Sequence, residues 1–184
     1  MTTEKTRLTA EQFFDLAGDG SRRYELLDGD VIEMTPPGGQ HSGVTLQVAY
    51  PLMRFVEDER LNFYVGAEVG VILRRDPDRV RAPDLYLIAR DRLPGGELPD
   101  AYLQAVPDLI VEVVSPHDRA AELEEKVEEW LRAGARLVWV CHPSTRTVHA
   151  HRGLADVRVY RMGEVLDAEP VLAGFAVPIE RLFP

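Results

Sequence analysis

Two carboxylates stand where the chain is otherwise apolar. Leu109-Ile110-Val111-Glu112-Val113-Val114 has the composition of a strand buried on both faces, with Glu112 inside it, and Pro83-Asp84-Leu85-Tyr86-Leu87-Ile88 places Asp84 at the head of an equally apolar run. An ionised carboxylate in a low-dielectric core costs several kcal/mol unless a cation, a donor or a metal lies beside it. Taken singly, Asp84 reads as a turn or strand-start residue and Glu112 as a strand residue paired with an arginine. Taken together on adjacent strands, they suit a divalent oxygen-ligand site, because Mg²⁺ is held by one or two carboxylates plus substrate phosphate.

Lys126 is the third residue of interest. Lys5 and Lys126 are the only lysines among 21 basic residues; the rest are arginines. An exposed i,i+4 pair with Glu122 would be worth only about 0.3–0.5 kcal/mol, and arginine would serve it as well. A lysine instead offers a compact ammonium whose pKa responds to a metal–carboxylate site, which the permanently charged guanidinium cannot do.

The elements that must position these groups follow from pattern. Thr9 with Gln12 resembles a capping box, and Phe13, Phe14 and Leu16 give a short helix its apolar face. Asp28-Gly29-Asp30 between Arg23–Leu27 and Val31–Met34 is a hairpin signal. Beyond the Pro36-Pro37-Gly38-Gly39 breaker, Val44, Val48, Leu52, Phe55 and Val56 predict a helix from about His41 to Glu57. Strands are expected over Phe63–Leu73, broken or bent at Gly66 and Gly70, and over Ala82–Ala89. A loop over Pro94–Pro99 then leads to the Glu112 strand. Ser115-Pro116 and Asp118 announce a helix that Gly134 stops, and Arg136–Cys141 with Thr147–His151 form another hairpin. This order predicts an α/β chain of the α+β type, a mixed sheet with helices against it, as one domain over 1–184 with 1–8 as a flexible tail.

Five ordered stretches carry a resemblance: Tyr24-Glu25-Leu26-Leu27-Asp28-Gly29, Met34-Thr35-Pro36-Pro37-Gly38-Gly39-Gln40-His41, Val80-Arg81-Ala82-Pro83-Asp84, Val111-Glu112-Val113-Val114-Ser115-Pro116, and Lys126 through Gly134. Pro83-Asp84 followed by Glu112 at the end of a buried strand resembles the PD-(D/E)XK nuclease superfamily, except that Val114 stands where that superfamily's lysine would be. The five stretches together resemble the Uma family (DUF820-type) of bacterial putative restriction endonucleases, in which the lysine is thought to have moved to the following helix. Lys126 matches that position and Trp130 the aromatic four residues later; Glu122 replaces an aspartate.

The resemblance implies a restriction endonuclease-like core with an N-terminal helix and β-hairpin. It also implies Mg²⁺ or Mn²⁺ on Asp84 and Glu112, with Lys126 orienting or helping to deprotonate water and stabilising phosphate charge. Glu25 would be an accessory acid and His41 a contact to phosphate or water. The partners implied are DNA as substrate and a second copy in a homodimer. The alternative is a catalytically silent nuclease-fold module for interaction or regulation.

Composition sets limits on these readings. With 31 acidic residues, a net charge of −10 and 45% hydrophobic content, the chain is a globular mixture whose field repels phosphate polymers, so coating of nucleic acid is disfavoured. No apolar run approaches the ~20 residues that span a bilayer, and the polar N-terminus lacks a secretory h-region, so no membrane and a cytoplasmic location are expected. Cys141 alone forms no internal disulfide. The Arg74-Arg75 and Arg79–Arg81 cluster is a candidate phosphate contact, and His149 and His151 share a strand face without an adjacent carboxylate. No P-loop, dinucleotide fingerprint or zinc spacing occurs.

Overall fold

The structure, a computed structural model, describes residues 7–17 and 22–183. The expected tail, 1–8, lies outside the described residues except at its end, where the Leu8 amide donates to the Gly29 carbonyl at 3.0 Å. Helix α1 spans Ala10–Ala17 and opens on the capping box: the Thr9 amide donates to Gln12 Oε1 at 2.9 Å and the Gln12 amide to Thr9 Oγ1 at 3.3 Å. Strands β1 (Arg23–Leu27) and β2 (Asp30–Met34) form the hairpin, turning at Asp28 and Gly29, both with positive φ.

Helix α2 runs Gly39–Asp58, two residues earlier than expected, and buries His41, Val44, Val48 and Leu52. Of the two alternatives for Phe63–Leu73, broken or bent at Gly66 and Gly70, the structure has the break. β3 (Phe63–Gly66) and β4 (Val71–Arg74) belong to different sheets, because the chain crosses between sheets at Gly66–Gly70. A Cβ at Gly66 would strike the Tyr86 ring at 2.4 Å and one at Gly70 the Tyr102 ring at 2.2 Å. These glycines therefore mark close crossings at the break.

β5 (Arg79–Arg81) joins β4, β1 and β2 in a four-stranded sheet ordered β2-β1-β5-β4. β6 (Leu85–Ala89), β7 (Leu109–Val113), β8 (Leu137–His142), β9 (Thr147–Gly153) and β10 (Asp156–Tyr160) form, with β3, the main sheet β10-β9-β8-β7-β6-β3. All its pairings are antiparallel except β7 with β8, which are joined by the crossover helix α3 (Ala120–Ala133). Gly134, at φ 111°, ends α3. Asp118 caps the turn before α3, accepting the Ser115 amide at 2.7 Å, and not the helix itself. β11 (Val165–Ala168) and β12 (Leu172–Pro178) form a separate hairpin.

The main sheet is covered on both faces, and this decides which way each side chain points. Leu109, Val111 and Val113 of β7 pack with Val44, Val48 and Leu52 of α2 and with Phe175 and Val177 of β12. Ile110 faces the other way, with Val127 and Trp130 of α3. Period-two alternation therefore turns Glu112 toward α3. No helix among the described residues is long and apolar enough to cross a membrane.

Cys141 sits on the α2 side, fully buried and unpaired, and burial pushes its thiol well above the usual range. The native protein should therefore react with iodoacetamide at pH 8 at least 100-fold more slowly than the urea-unfolded chain. Rapid native alkylation would contradict this packing.

Candidate functional site

Each site residue arrives from a different element. The pairing of Leu85 with Val111 puts Asp84, just ahead of β6, at the strand end across from Glu112. Two carboxylates there repel one another unless a cation intervenes. Helix α3 lies over that face, and positions 126 and 130, one turn apart, both reach down to Glu112. Lys126 Nζ donates to Glu112 Oε2 at 2.9 Å, and Trp130 Nε1 donates to Glu112 Oε1 at 2.8 Å.

The ammonium also donates to the Ala82 carbonyl at 3.1 Å and is ion-paired with Glu25 Oε1 at 3.2 Å. A compact point charge suits this arrangement better than a planar guanidinium. The Lys126 side chain is 13% exposed and is turned away from the i,i+4 surface pairing with Glu122.

Glu25 is 2% exposed on β1. It accepts from Arg81 Nη1 at 2.6 Å and from the Ala82 amide at 3.2 Å. Asp84 Oδ2 accepts from the Val113 amide at 2.7 Å and lies 3.1 Å from Nε2 of His41, in the first turn of α2. Asp84 Oδ1 has a long contact, 3.4 Å, with Arg23. Glu25, His41, Asp84, Glu112 and Lys126 therefore line one pocket of about 470 Å³, together with Arg23, Arg81 and the apolar side chains Leu27, Ile32, Met34 and Pro37.

The electrostatics record an excess of buried negative charge. Burial, reinforced by Asp84 and Glu25 and opposed by Lys126, pushes the Glu112 carboxyl up to about 7. Burial also works against the Lys126 charge, but Glu112, Glu25 and Asp84 outweigh it, so the ammonium is held protonated above its usual range. Glu25 is held below the usual carboxylate range although burial opposes this, through Lys126 and Arg81. For Asp84 burial again opposes ionisation, and the hydrogen bond with His41 leads the groups that lower its pKa; the same bond raises that of His41.

A pocket with this surplus of carboxylate has the donor chemistry for a divalent cation with oxygen ligands, and Asp84 and Glu112 are the residues that could hold it. Among the described residues no three His, Cys, Asp or Glu side chains are grouped to hold an ion by themselves. Water or a substrate phosphate would have to complete the coordination.

The arginine cluster does not behave as expected. Arg81 is bound to Glu25 and Glu129, Arg79 to Asp28 and Glu129, Arg74 to Asp28, and Arg75 to Glu11 and Asp78. Arg79 and Arg81 are largely buried among these carboxylates, with Arg81 serving as the counter-ion of Glu25, whereas Arg74 and Arg75 are about half exposed in surface ion pairs. Arg23 was not anticipated. Its signal was present, since Arg23 and Glu25 are two apart on a strand and must share a face.

The Uma2 family model, described as "Putative restriction endonuclease", matches residues 10–180. No curated protein matches the chain. Among solved structures, a crystal structure of a protein described as a putative nuclease belonging to DUF820, from Anabaena variabilis ATCC 29413, has a TM-score of 0.80 and 20% identity. The match covers 96% of this chain and 97% of that one. The shared fold is restriction endonuclease-like.

Removing the ammonium would leave Glu112 and Glu25 short of a cation in a buried site. Lys126→Ala should cost about 3–5 kcal/mol in urea unfolding at pH 7.5. Because the Glu112 carboxyl takes up a proton below about 7, the cost should shrink as pH falls to 5.5. A cost that is small, or that grows on acidification, would contradict the geometry.

Proposed function

The chain belongs to the Uma2 family of putative restriction endonucleases, and from that premise we propose that the pocket around Glu112 is the centre of a metal-dependent DNA endonuclease. The observation that carries the reading is the convergence of Lys126 and Trp130 on Glu112, opposite Asp84 and beside Glu25. A structural ion pair needs no such concentration of buried acids, whereas phosphodiester hydrolysis uses carboxylates to gather positive charge where a phosphate must sit.

Asp84 and Glu112 would hold Mg²⁺ or Mn²⁺, which when bound supplies polarisation of the phosphoryl oxygen and a more acidic water. The Val113 amide and His41 fix the Asp84 carboxylate. Trp130 fixes Glu112, with Lys126 as the cation bound to it, while Arg23 is the guanidinium in contact with Asp84. In the reaction a water oxygen attacks phosphorus as the water releases a proton to solvent, the bond to the leaving sugar oxygen breaks, and that oxygen takes up a proton from solvent. Lys126, held protonated, suits stabilisation of phosphate charge and orientation of the water rather than its deprotonation. Glu25 keeps Lys126 in place, and His41 positions Asp84.

The resemblance also implies a homodimer. Leu46, Tyr50 and Met53, exposed at helical spacing along α2, are the face suited to a second copy. An antiparallel α2 of that copy would bring its N-terminal end, without acidic residues, beside the acidic Glu57 and Asp58 end of the first. Leu46→Glu with Met53→Glu should convert a dimer to monomer in light scattering; a wild-type monomer would remove the dimer from the account.

The competing reading is a silent nuclease-fold module. It is favoured by the engagement of both Glu112 oxygens within the protein. Plasmid nicking decides between the two: Mg²⁺- or Mn²⁺-dependent cleavage should fall at least 100-fold in Asp84→Ala, Glu112→Gln and Lys126→Met. No cleavage of any DNA form, or cleavage indifferent to these changes, would favour the silent module.

A further inference from the structure

The pocket has an apolar wall that phosphate chemistry alone does not use. On β1 and β2, Glu25 pairs with Ile32 and Arg23 with Met34, so Leu27, Ile32 and Met34 share the hairpin face that carries Arg23 and Glu25. All of them line the pocket, and Ile32 is 41% exposed. At about 470 Å³ the space is in the range of small-ligand sites and would take a nucleotide, but not a double helix. Asp84 and Glu112 are 6% and 5% exposed, so a phosphate must enter the pocket to reach them.

The mouth is also poorly equipped for a duplex. Its α3 side carries Asp118, Glu122 and Glu125. The cations around it are already engaged: Arg22 with Glu33, Arg23 with Glu68 and Asp84, and Arg119 with Glu122. Duplex binders neutralise many phosphates, commonly six to ten, along a continuous basic surface. Binders of unpaired strands also place cations along the backbone, but they add contacts to the faces of exposed bases, which a stacked duplex does not offer. Extruding a base from a duplex costs a few kcal/mol, which an unpaired strand does not require.

We propose that this pocket takes unpaired DNA, a single-stranded segment or frayed end, with a base against Leu27, Ile32 and Met34 and the adjoining phosphate directed toward Asp84, Glu112 and Lys126. The proposal rests on the nuclease reading of the same pocket. It assigns Ile32 to strand selection, without contact to the reacting phosphate.

Fluorescence anisotropy with a labelled 20-nucleotide single strand and the same sequence as a blunt duplex, in Ca²⁺ in place of Mg²⁺, tests it. The single strand should bind at least tenfold more tightly. Its slope of log affinity against log salt should be about −1 to −2, as for two or three phosphates. Ile32→Asp should weaken single-strand binding at least fivefold with an unchanged circular dichroism spectrum. Equal or tighter duplex binding, no binding of either form, or an Ile32→Asp protein of unaltered single-strand affinity would overturn it. Cleavage in Mg²⁺ is read separately. Preferential cutting of duplex would overturn the strand preference and leave the nuclease standing, whereas tight single-strand binding without cutting would uphold the preference and contradict the nuclease.

Discussion

The site depends on one ammonium group. Lys126 donates to Glu112 and to the Ala82 carbonyl and is ion-paired with Glu25, so it joins two buried carboxylates from different sheets, Glu25 of the hairpin sheet and Glu112 of the main sheet. Without that cation the edge of β1 and the end of β7 would repel each other across the pocket. With it, the two sheets meet there and α3 is fixed on the main sheet through Lys126 and Trp130 together. Arg81 plays the corresponding part on the far side of Glu25, and Glu129 ties Arg81 back to α3. Three carboxylates, two cations and one indole thus form a network in which stability and candidate chemistry use the same atoms.

Much of this was legible in residue pattern. Glu112 in an apolar strand and Asp84 at the head of another are anomalies that only a partner can resolve, and a lysine in an arginine-rich chain marks that partner. The capping box, the Asp-Gly hairpin and the Gly134 stop are local rules, and the structure follows them. Other features were settled over long range. Gly66 and Gly70 mark a break or a bend within Phe63–Leu73, but only the fold shows that they carry the chain past Tyr86 and Tyr102 into a second sheet. The pattern of residues near a glycine does not reveal which distant ring will press on it. For the same reason the arginines at 74, 75, 79 and 81 looked available to phosphate. Their partners, Glu11, Glu25, Asp28 and Glu129, are scattered in sequence and only folding gathers them.

The net charge of −10 takes on a more local meaning beside this geometry. Several acids are consumed internally: Asp108 accepts from the Ala89 amide and Arg92, Asp78 from the Ala10 amide and Arg75, and Asp28 from Arg79. At the pocket, burial first and then Asp84 and Glu25 push the Glu112 carboxyl up to about 7. A proton can neutralise it, and a divalent ion could take the proton's place. Under the proposed function the ion-bound form is the active one.

Calorimetric titration with Mn²⁺ at pH 7.5 tests that claim most directly. The account predicts binding to the wild-type chain with release of protons, since Glu112 must give up the proton it partly retains, and loss of that binding in Asp84→Asn and Glu112→Gln proteins that stay folded. Binding of undiminished affinity in both variants, or none in the wild type with or without DNA, would contradict it.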